Sequence, residues 1–363
     1  MKILTVLGAR PQFIKASAVS RRLREVDQVS EVVVHTGQHF DENMSAVFFR
    51  ELGMEEPKYN LDIHGGNHGE MTGRMLIEVE KVILAERPSA LLVYGDTNST
   101  LAGSLAASKL HVPVAHVEAG LRSFNQQMPE EINRIVTDSL ARWLFAPTRI
   151  SVENLRREGV SSDRIFLVGD VMYDAALMHG SRASSQDLEK LTGHSGDKPF
   201  VLVTIHRAEN TDSAERLQII VEALSSLSRE INIVWPVHPR TKRFLRDAPQ
   251  LRELVDSLRI IDPVGYIDMV ALQKNATIVV TDSGGVQKEA FFHRVPCVTL
   301  RDETEWVELV EAGWNRVVPP RNAGRIVSEV RLAIGTTGVD IEPYGKGDAS
   351  ERIVTALTSA IGV

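Results

Sequence analysis

Ile3-Leu4-Thr5-Val6-Leu7-Gly8-Ala9-Arg10-Pro11-Gln12-Phe13-Ile14-Lys15 begins as an apolar run of strand length, turns at a glycine and continues into a helix. Pro11 suits a first helical position, because a helix start leaves its early N–H groups unpaired and proline lacks one. Ile14, Ala18, Val19 and Leu23 then repeat at helical spacing. Working outward, Glu31–His35, Ala90–Tyr94, Val112–His116 and Ile165–Val168 read as further strands, each after a helical or polar stretch, and Ile132, Ile135, Val136, Leu140 and Trp143 form a helical apolar stripe. This alternation predicts parallel βαβ units rather than a sandwich or a bundle. The polar, Gly- and Ser-bearing segment His179–Lys198 separates a second set of strands at Phe200–Thr204, Ile231–Val237, Leu258–Ile261, Ala276–Thr281 and Val295–Leu300. A domain boundary near residue 175 follows, and Ala349–Ile361 reads as a closing helix.

The 363 residues suit two domains, and 43% hydrophobic with 25% charged residues is an ordinary globular composition. A net charge of −7 without a basic run argues against nucleic-acid binding. Cys297 is the only cysteine, so no internal disulfide or cysteine-rich metal site is expected. No stretch is long and apolar enough for a membrane span, and the short amino-terminal run does not suit a signal peptide. The cytoplasm is the expected compartment.

Several strands end in small or charged loops, which in open α/β sheets line the ligand crevice. Arg10 and Lys15 flank a helix start where an anion is favoured; a phosphate site and solvated surface cations are both compatible with that placement. Asp282-Ser283-Gly284-Gly285-Val286-Gln287-Lys288-Glu289 joins a strand to a helix through two glycines, so backbone N–H groups can approach a pyrophosphate, and Glu289 could accept from ribose hydroxyls. A plain turn is the alternative. No G-x-G-x-x-G or P-loop occurs, so nicotinamide and ATP chemistry lose support. Asp96, Glu118 and Glu130 lie at strand or helix edges. Glu130 and Arg134 share a helical face at i, i+4 and could simply pair. Glu118 follows an apolar strand and is expensive to bury without a partner. His206 and His238 both follow strands of the second half, without metal-binding spacing. No cofactor or metal is expected.

Gly8-Ala9-Arg10-Pro11-Gln12-Phe13-Ile14-Lys15, Tyr94-Gly95-Asp96-Thr97, His116-Val117-Glu118-Ala119-Gly120-Leu121-Arg122, Pro129-Glu130-Glu131-Ile132-Asn133-Arg134, His206-Arg207, Pro236-Val237-His238 and Asp282-Ser283-Gly284-Gly285 together resemble the bacterial non-hydrolysing UDP-N-acetylglucosamine 2-epimerases. The motifs run in family order over almost the whole chain. The resemblance implies α/β architecture with two Rossmann-like doubly wound domains and a central cleft, the glycosyltransferase-B fold. It assigns 1–174 plus a carboxy-terminal helix of about 346–363 to the first domain and 175–345 to the UDP-binding domain. It further implies a homodimer acting on a UDP-amino sugar.

The resemblance also implies elimination of UDP to 2-acetamidoglucal and readdition after proton return on the opposite face. Asp96, Glu118 and Glu130 would be the catalytic carboxylates. His206, Arg10 and Lys15 would stabilise the departing diphosphate. Ser283, Gly284, Gly285 and Glu289 would hold diphosphate and ribose, the loop around Tyr266 would receive uracil, and Arg134 and His238 would complete the pocket. Gln12 stands where the common enzymes carry Glu, and Glu305-Trp306-Val307-Glu308 replaces their Glu-Arg-Pro-Glu. Both features resemble the branch acting on UDP-2,3-diacetamido-2,3-dideoxyglucuronate. The segment after Gln38-His39 departs from the family's effector motif, so allosteric activation is not carried over. A UDP-sugar glycosyltransferase is the further alternative, disfavoured by the acidic cluster.

Overall fold

Runs such as Leu91-Leu92-Val93, apolar at every position, need a strand covered on both faces. In the computed structural model, which describes residues 1–38, 49–180, 185–193, 198–246 and 248–362, these three residues are fully buried. They belong to a sheet of β1 (Lys2–Leu7), β2 (Ser30–His35), β3 (Tyr59–Asn60), β4 (Ala90–Tyr94), β5 (Val114–Val117), β6 (Trp143–Ala146) and β7 (Ile165–Leu167). Its order is β3-β2-β1-β4-β5-β6-β7, and every pair is parallel. A second parallel sheet comprises β8 (Phe200–Thr204), β9 (Asn232–Pro236), β10 (Arg259–Ile261), β11 (Ile278–Thr281), β12 (Cys297–Thr299) and β13 (Asn315–Val317), in the order β10-β9-β8-β11-β12-β13. Each sheet reverses direction of growth beside its first strand, between β1 and β4 and between β8 and β11. Loops leaving these strands at their carboxyl ends therefore diverge and open a crevice.

The chain divides into two units, Met1–Ala175 with Glu342–Val363, and Ala176–Ile341. In the first, the helix Asn98–Lys109 lies against Val6 and Val93, with Gly103 allowing the close approach. Burying each such valine contributes about 1.5–3 kcal/mol. The helix Ala349–Ile361 belongs to this unit, and buried Asp174 accepts from the N–H groups of Ala349 at 3.1 Å and Ser350 at 2.7 Å at its start. In the second unit, Val201, Val203, Trp235 and Val280 pack with Leu217, Ile220 and Leu224 of the helix Ala214–Leu227 on one face. Leu202, Val234 and Val279 fill the other face with Leu272 and Ala290.

Three sequence expectations change. Trp143 does not continue the helix, which spans Pro129–Leu140; it opens β6, a run buried at all four positions. The helix itself is inverted relative to the expected stripe. Its buried residues are Glu131, Asn133, Thr137 and Asp138, whereas Ile132 is 49% exposed. Finally, β5 begins at Val114 rather than Val112 and places His116 inside the strand. The departing segment at Phe40-Asp41-Glu42 lies outside the described residues.

Candidate active site

In the first unit the site is built from the loops after β1, β4 and β5. Gly8 ends β1 where the helix Asn98–Lys109 begins, and a Cβ there would stand 2.9 Å from Ser99 Cβ. Gln12 is buried and fully engaged. Its Oε1 accepts from the N–H groups of Gly8 at 2.7 Å and Ala9 at 3.0 Å, while its Nε2 donates to Tyr94 O at 2.7 Å and to the hydroxyls of Thr97 and Thr100. The amide thus ties the Arg10-bearing turn to the Asp96-bearing turn. Gly95 adopts φ +62°, a left-handed turn that suits glycine, and hands the chain to Asp96.

Glu118 follows β5 with φ +74°, and its carboxylate pairs with Lys15, both side chains being largely buried. A Cβ on Gly95 would lie 3.3 Å from Glu118 Oε2 and 3.6 Å from Lys15 Nζ. Glu118 and Lys15 therefore lie over the residue preceding Asp96. Asp96 Oδ2 accepts from Arg134 Nη2 at 2.5 Å. The alternative of a Glu130–Arg134 pair does not form, because Arg134 turns inward to Asp96 and to Glu131, 2.7 Å from its Nη1. Glu130 is left exposed in the first turn of the helix.

Two residues inside a quoted motif escaped the sequence reading as functional residues. Glu131 accepts from the N–H groups of Ser123 and Phe124, both at 2.9 Å, and so holds the loop between β5 and the helix. Burial alone would raise its carboxyl, but these bonds and Arg134 outweigh burial and hold it below the usual glutamate range. Asn133 donates to Asp96 O at 2.8 Å. The polar positions of an otherwise amphipathic helix were the available signal.

In the second unit, Ser283 stands at the N-cap position of the helix Gly284–Phe292 without a side-chain cap bond, and a Cβ on Gly285 would meet nothing within 4 Å, leaving the backbone there approachable. Asp282 is fully buried and accepts from the N–H groups of His206 and Arg207, each at 3.1 Å, and from Asn210 Nδ2 at 3.0 Å. This carboxylate, missed in sequence as a functional residue, fixes the loop after β8. The rings of His206 and His238 stand 6.3 Å apart between centroids. Burial lowers the His206 pKa; Asp282 opposes the shift, while His238 and Arg207 add to it.

Glu289 accepts from Gln273 Nε2 at 2.6 Å, so one of its oxygens is engaged within the unit. Tyr266 begins the helix Tyr266–Asn275 with its ring 5% exposed and edge-on to His179, which makes the preceding loop rather than the ring the accessible feature. Glu305 accepts from Arg301 Nη1 at 2.6 Å and lies 3.6 Å from Arg207, while Trp306 Nε1 donates to Gly284 O at 2.8 Å. The Glu305-Trp306 segment thus borders the glycine turn directly. Among the described residues, no group of three or more His, Cys, Asp or Glu is placed to hold a metal, and no helix is long and apolar enough to cross a membrane.

Comparison with known proteins agrees with this architecture. A family model described as UDP-N-acetylglucosamine 2-epimerase matches residues 21–358. The chain is 54% identical over 363 residues to a UDP-2,3-diacetamido-2,3-dideoxy-D-glucuronate 2-epimerase of Pseudomonas aeruginosa, covering 98% of this chain and 99% of that one. The solved UDP-GlcNAc 2-epimerase of Methanocaldococcus jannaschii superposes with a TM-score of 0.90 at 44% identity, covering 99% of this chain and 100% of that one. Its structure in complex with UDP-GlcNAc and UDP matches with a TM-score of 0.82 over the same coverage and at the same identity.

Proposed function

The chain belongs to the UDP-N-acetylglucosamine 2-epimerase family, and from that premise we propose that it is an isomerase inverting C2 of a UDP-linked N-acetylated amino sugar without consuming UDP. The observation that carries this reading is the pair of acid/base groups at adjacent strand ends: Asp96 held by Arg134, and Glu118 held by Lys15 above Gly95. A glycosyl transfer has no need of two groups able to exchange the same C2 proton.

The C2 hydrogen is not flanked by a carbonyl, so it must be acidified before a carboxylate can take it. Weakening of the C1–O bond puts positive character on C1. A carboxylate then removes the C2 proton, the C2–H electron pair forms the C1–C2 double bond, and UDP leaves with the C1–O pair. Proton delivery to the opposite face of C2 and attack of the UDP oxygen at C1 restore the bonds with inverted configuration. Asp96, Glu118 and Glu130 serve as the acid/base set, with general acid–base catalysis typically contributing about 10²–10⁴-fold. Arg10, Lys15 and His206 stabilise charge on the departing diphosphate. Ser283, Gly284 and Gly285 receive the diphosphate on N–H groups at a helix start, with Glu289 near the ribose. The loop before Tyr266 takes uracil, and Arg134 and His238 are further substrate contacts.

UDP-N-acetylglucosamine, interconverted with UDP-N-acetylmannosamine, is the primary substrate reading. The 54% identity to the diacetamido-glucuronate enzyme, with Gln12 and Glu305-Trp306 beside the site, favours UDP-2,3-diacetamido-2,3-dideoxyglucuronate as the second. The enzyme works in the cytoplasm as a homodimer. Exposed Ile77 and Leu84 on the helix His68–Glu86, and Ile132 on Pro129–Leu140, support a subunit contact on those helices. Proton NMR in D₂O with each substrate decides the function. Deuterium entry at C2 with UDP retained is expected, the faster substrate names the branch, and absence of exchange with both refutes the epimerase reading.

A further inference from the structure

The turn that carries Asp96 is held at three successive carbonyls by three buried side chains. Tyr94 O accepts from Gln12 Nε2 at 2.7 Å, Gly95 O meets His116 Nε2 at 2.7 Å, and Asp96 O accepts from Asn133 Nδ2 at 2.8 Å. Gln12 and Asn133 are amides, donors whatever the pH. His116 donates to a carbonyl only if the nitrogen facing it carries a proton, and its other nitrogen is engaged as well. Nδ1 stands 2.7 Å from Asp138 Oδ1, and the ring is fully buried in β5.

A neutral imidazole has one N–H and one bare lone pair. Here a carbonyl oxygen faces Nε2 and a carboxylate oxygen faces Nδ1, and the strap to the turn needs a proton on Nε2. The second oxygen of Asp138 accepts from Gly120 N–H at 3.0 Å and lies 2.7 Å from Arg122 Nη2, which holds the carboxylate in place against the ring. Arg122 also forks onto Glu158 at 2.7 Å to each oxygen. Behind the ring, Asp138, Arg122 and Glu158 thus follow one another with alternating charge. Beyond Gly95 lie two further pairs, Lys15 with Glu118 and Arg134 with Asp96.

We infer that His116, strapped between Asp138 and the Gly95 carbonyl, is a positioning residue for the Asp96 carboxylate. The bond fixes the peptide plane joining Gly95 to Asp96, so its loss lets the carboxylate drift while the UDP-holding loops of the second unit stay intact. Displacement of a reacting group by about 1 Å costs on the order of 10²-fold in rate. The kinetic part of the inference rests on the epimerase reading; the bond to the Gly95 carbonyl does not.

Neutron diffraction from deuterated wild-type crystals reads the protons directly. Deuterium on His116 Nε2, facing the Gly95 carbonyl, is expected, and its absence there overturns the strap. His116→Gln, compared with wild type for melting temperature, UDP affinity and turnover, tests the positioning. A fall in kcat of about 10- to 100-fold with UDP affinity unchanged is expected. Unchanged kcat in the folded variant, or loss of UDP affinity in step with kcat, overturns it. A variant that fails to fold leaves the neutron map to decide. A wild-type protein that turns over no UDP-amino sugar refutes the epimerase reading while the neutron result still judges His116.

Discussion

Replacing Asp282 with asparagine removes a charge and reverses a hydrogen-bonding direction at the centre of the second unit. The carboxylate accepts from three donors, the N–H groups of His206 and Arg207 at 3.1 Å and Asn210 Nδ2 at 3.0 Å, at a position with no solvent exposure. An asparagine keeps one accepting oxygen and turns an NH₂ group toward the remaining donors. One or two of the three are then left unpaired, at about 1–3 kcal/mol each, giving a loss of about 2–4 kcal/mol. For a domain of this size 1 kcal/mol moves the melting temperature by about 2–4 °C, so Asp282→Asn is expected to melt about 5–15 °C below wild type. Differential scanning calorimetry at neutral pH measures this. A drop of less than about 2 °C would refute the reasoning, since it would mean that the loop after β8 finds other partners without strain.

Four further outcomes are expected. Asp96→Asn or Glu118→Gln should slow C2 exchange by at least about 10²-fold while calorimetrically measured UDP affinity changes little; loss of UDP binding with normal stability would reassign the residue to ligand holding. Gly8→Ala should destabilise the first unit by about 1–3 kcal/mol in urea titrations, because the added methyl meets Ser99 where β1 meets the helix Asn98–Lys109. Burial, and then Lys274, hold the His293 imidazole down to about 4 from 6.5. Its folded-state value being depressed, the stability it contributes is complete above pH 6.5 and is lost as pH falls toward 4. His293→Gln should therefore lose less stability than wild type across that window. Ile132→Glu should shift the sedimentation coefficient from dimer toward monomer, and an unchanged value would move the subunit contact elsewhere.

The strand-and-turn architecture was readable because its signals are local: an apolar run, a glycine, then helical spacing, as at Ile3–Lys15 and Val280–Glu289. What lies inside the helix Pro129–Leu140 was not, since an amphipathic pattern assumes that the apolar stripe faces the core. There the buried face is polar because it meets Asp96, His116 and Gly120 rather than hydrocarbon, while Ile132 is exposed and Ile135, Val136 and Leu140 are half-buried. Trp143 fitted a helical period by spacing, but burial at every residue of Trp143–Ala146 is a property of the sheet that no period reports. Asp282 lay within a quoted motif, yet its function depends on β8 and β11 being neighbours, which is a fact of topology. Gln12 stood out in sequence as a departure, and the structure gives it work of its own: an amide can donate to Tyr94 O, where a carboxylate would confront it.

Glu118 sits at φ +74°, in the left-handed region that costs a branched-Cβ-bearing or ordinary L-residue about 1–2 kcal/mol relative to the right-handed one. Glycine enters the same region almost freely, and asparagine more easily than glutamate. Local backbone preference and chemistry therefore select opposite residues at one position. A descendant that kept the fold but no longer needed the carboxylate could become more stable by discarding it, provided Lys15 found water in its place. Stabilising the scaffold by consensus-style design would meet the same conflict, and on the acid/base role proposed for Glu118, position 118 is where a gain in melting temperature would be paired with a silent enzyme.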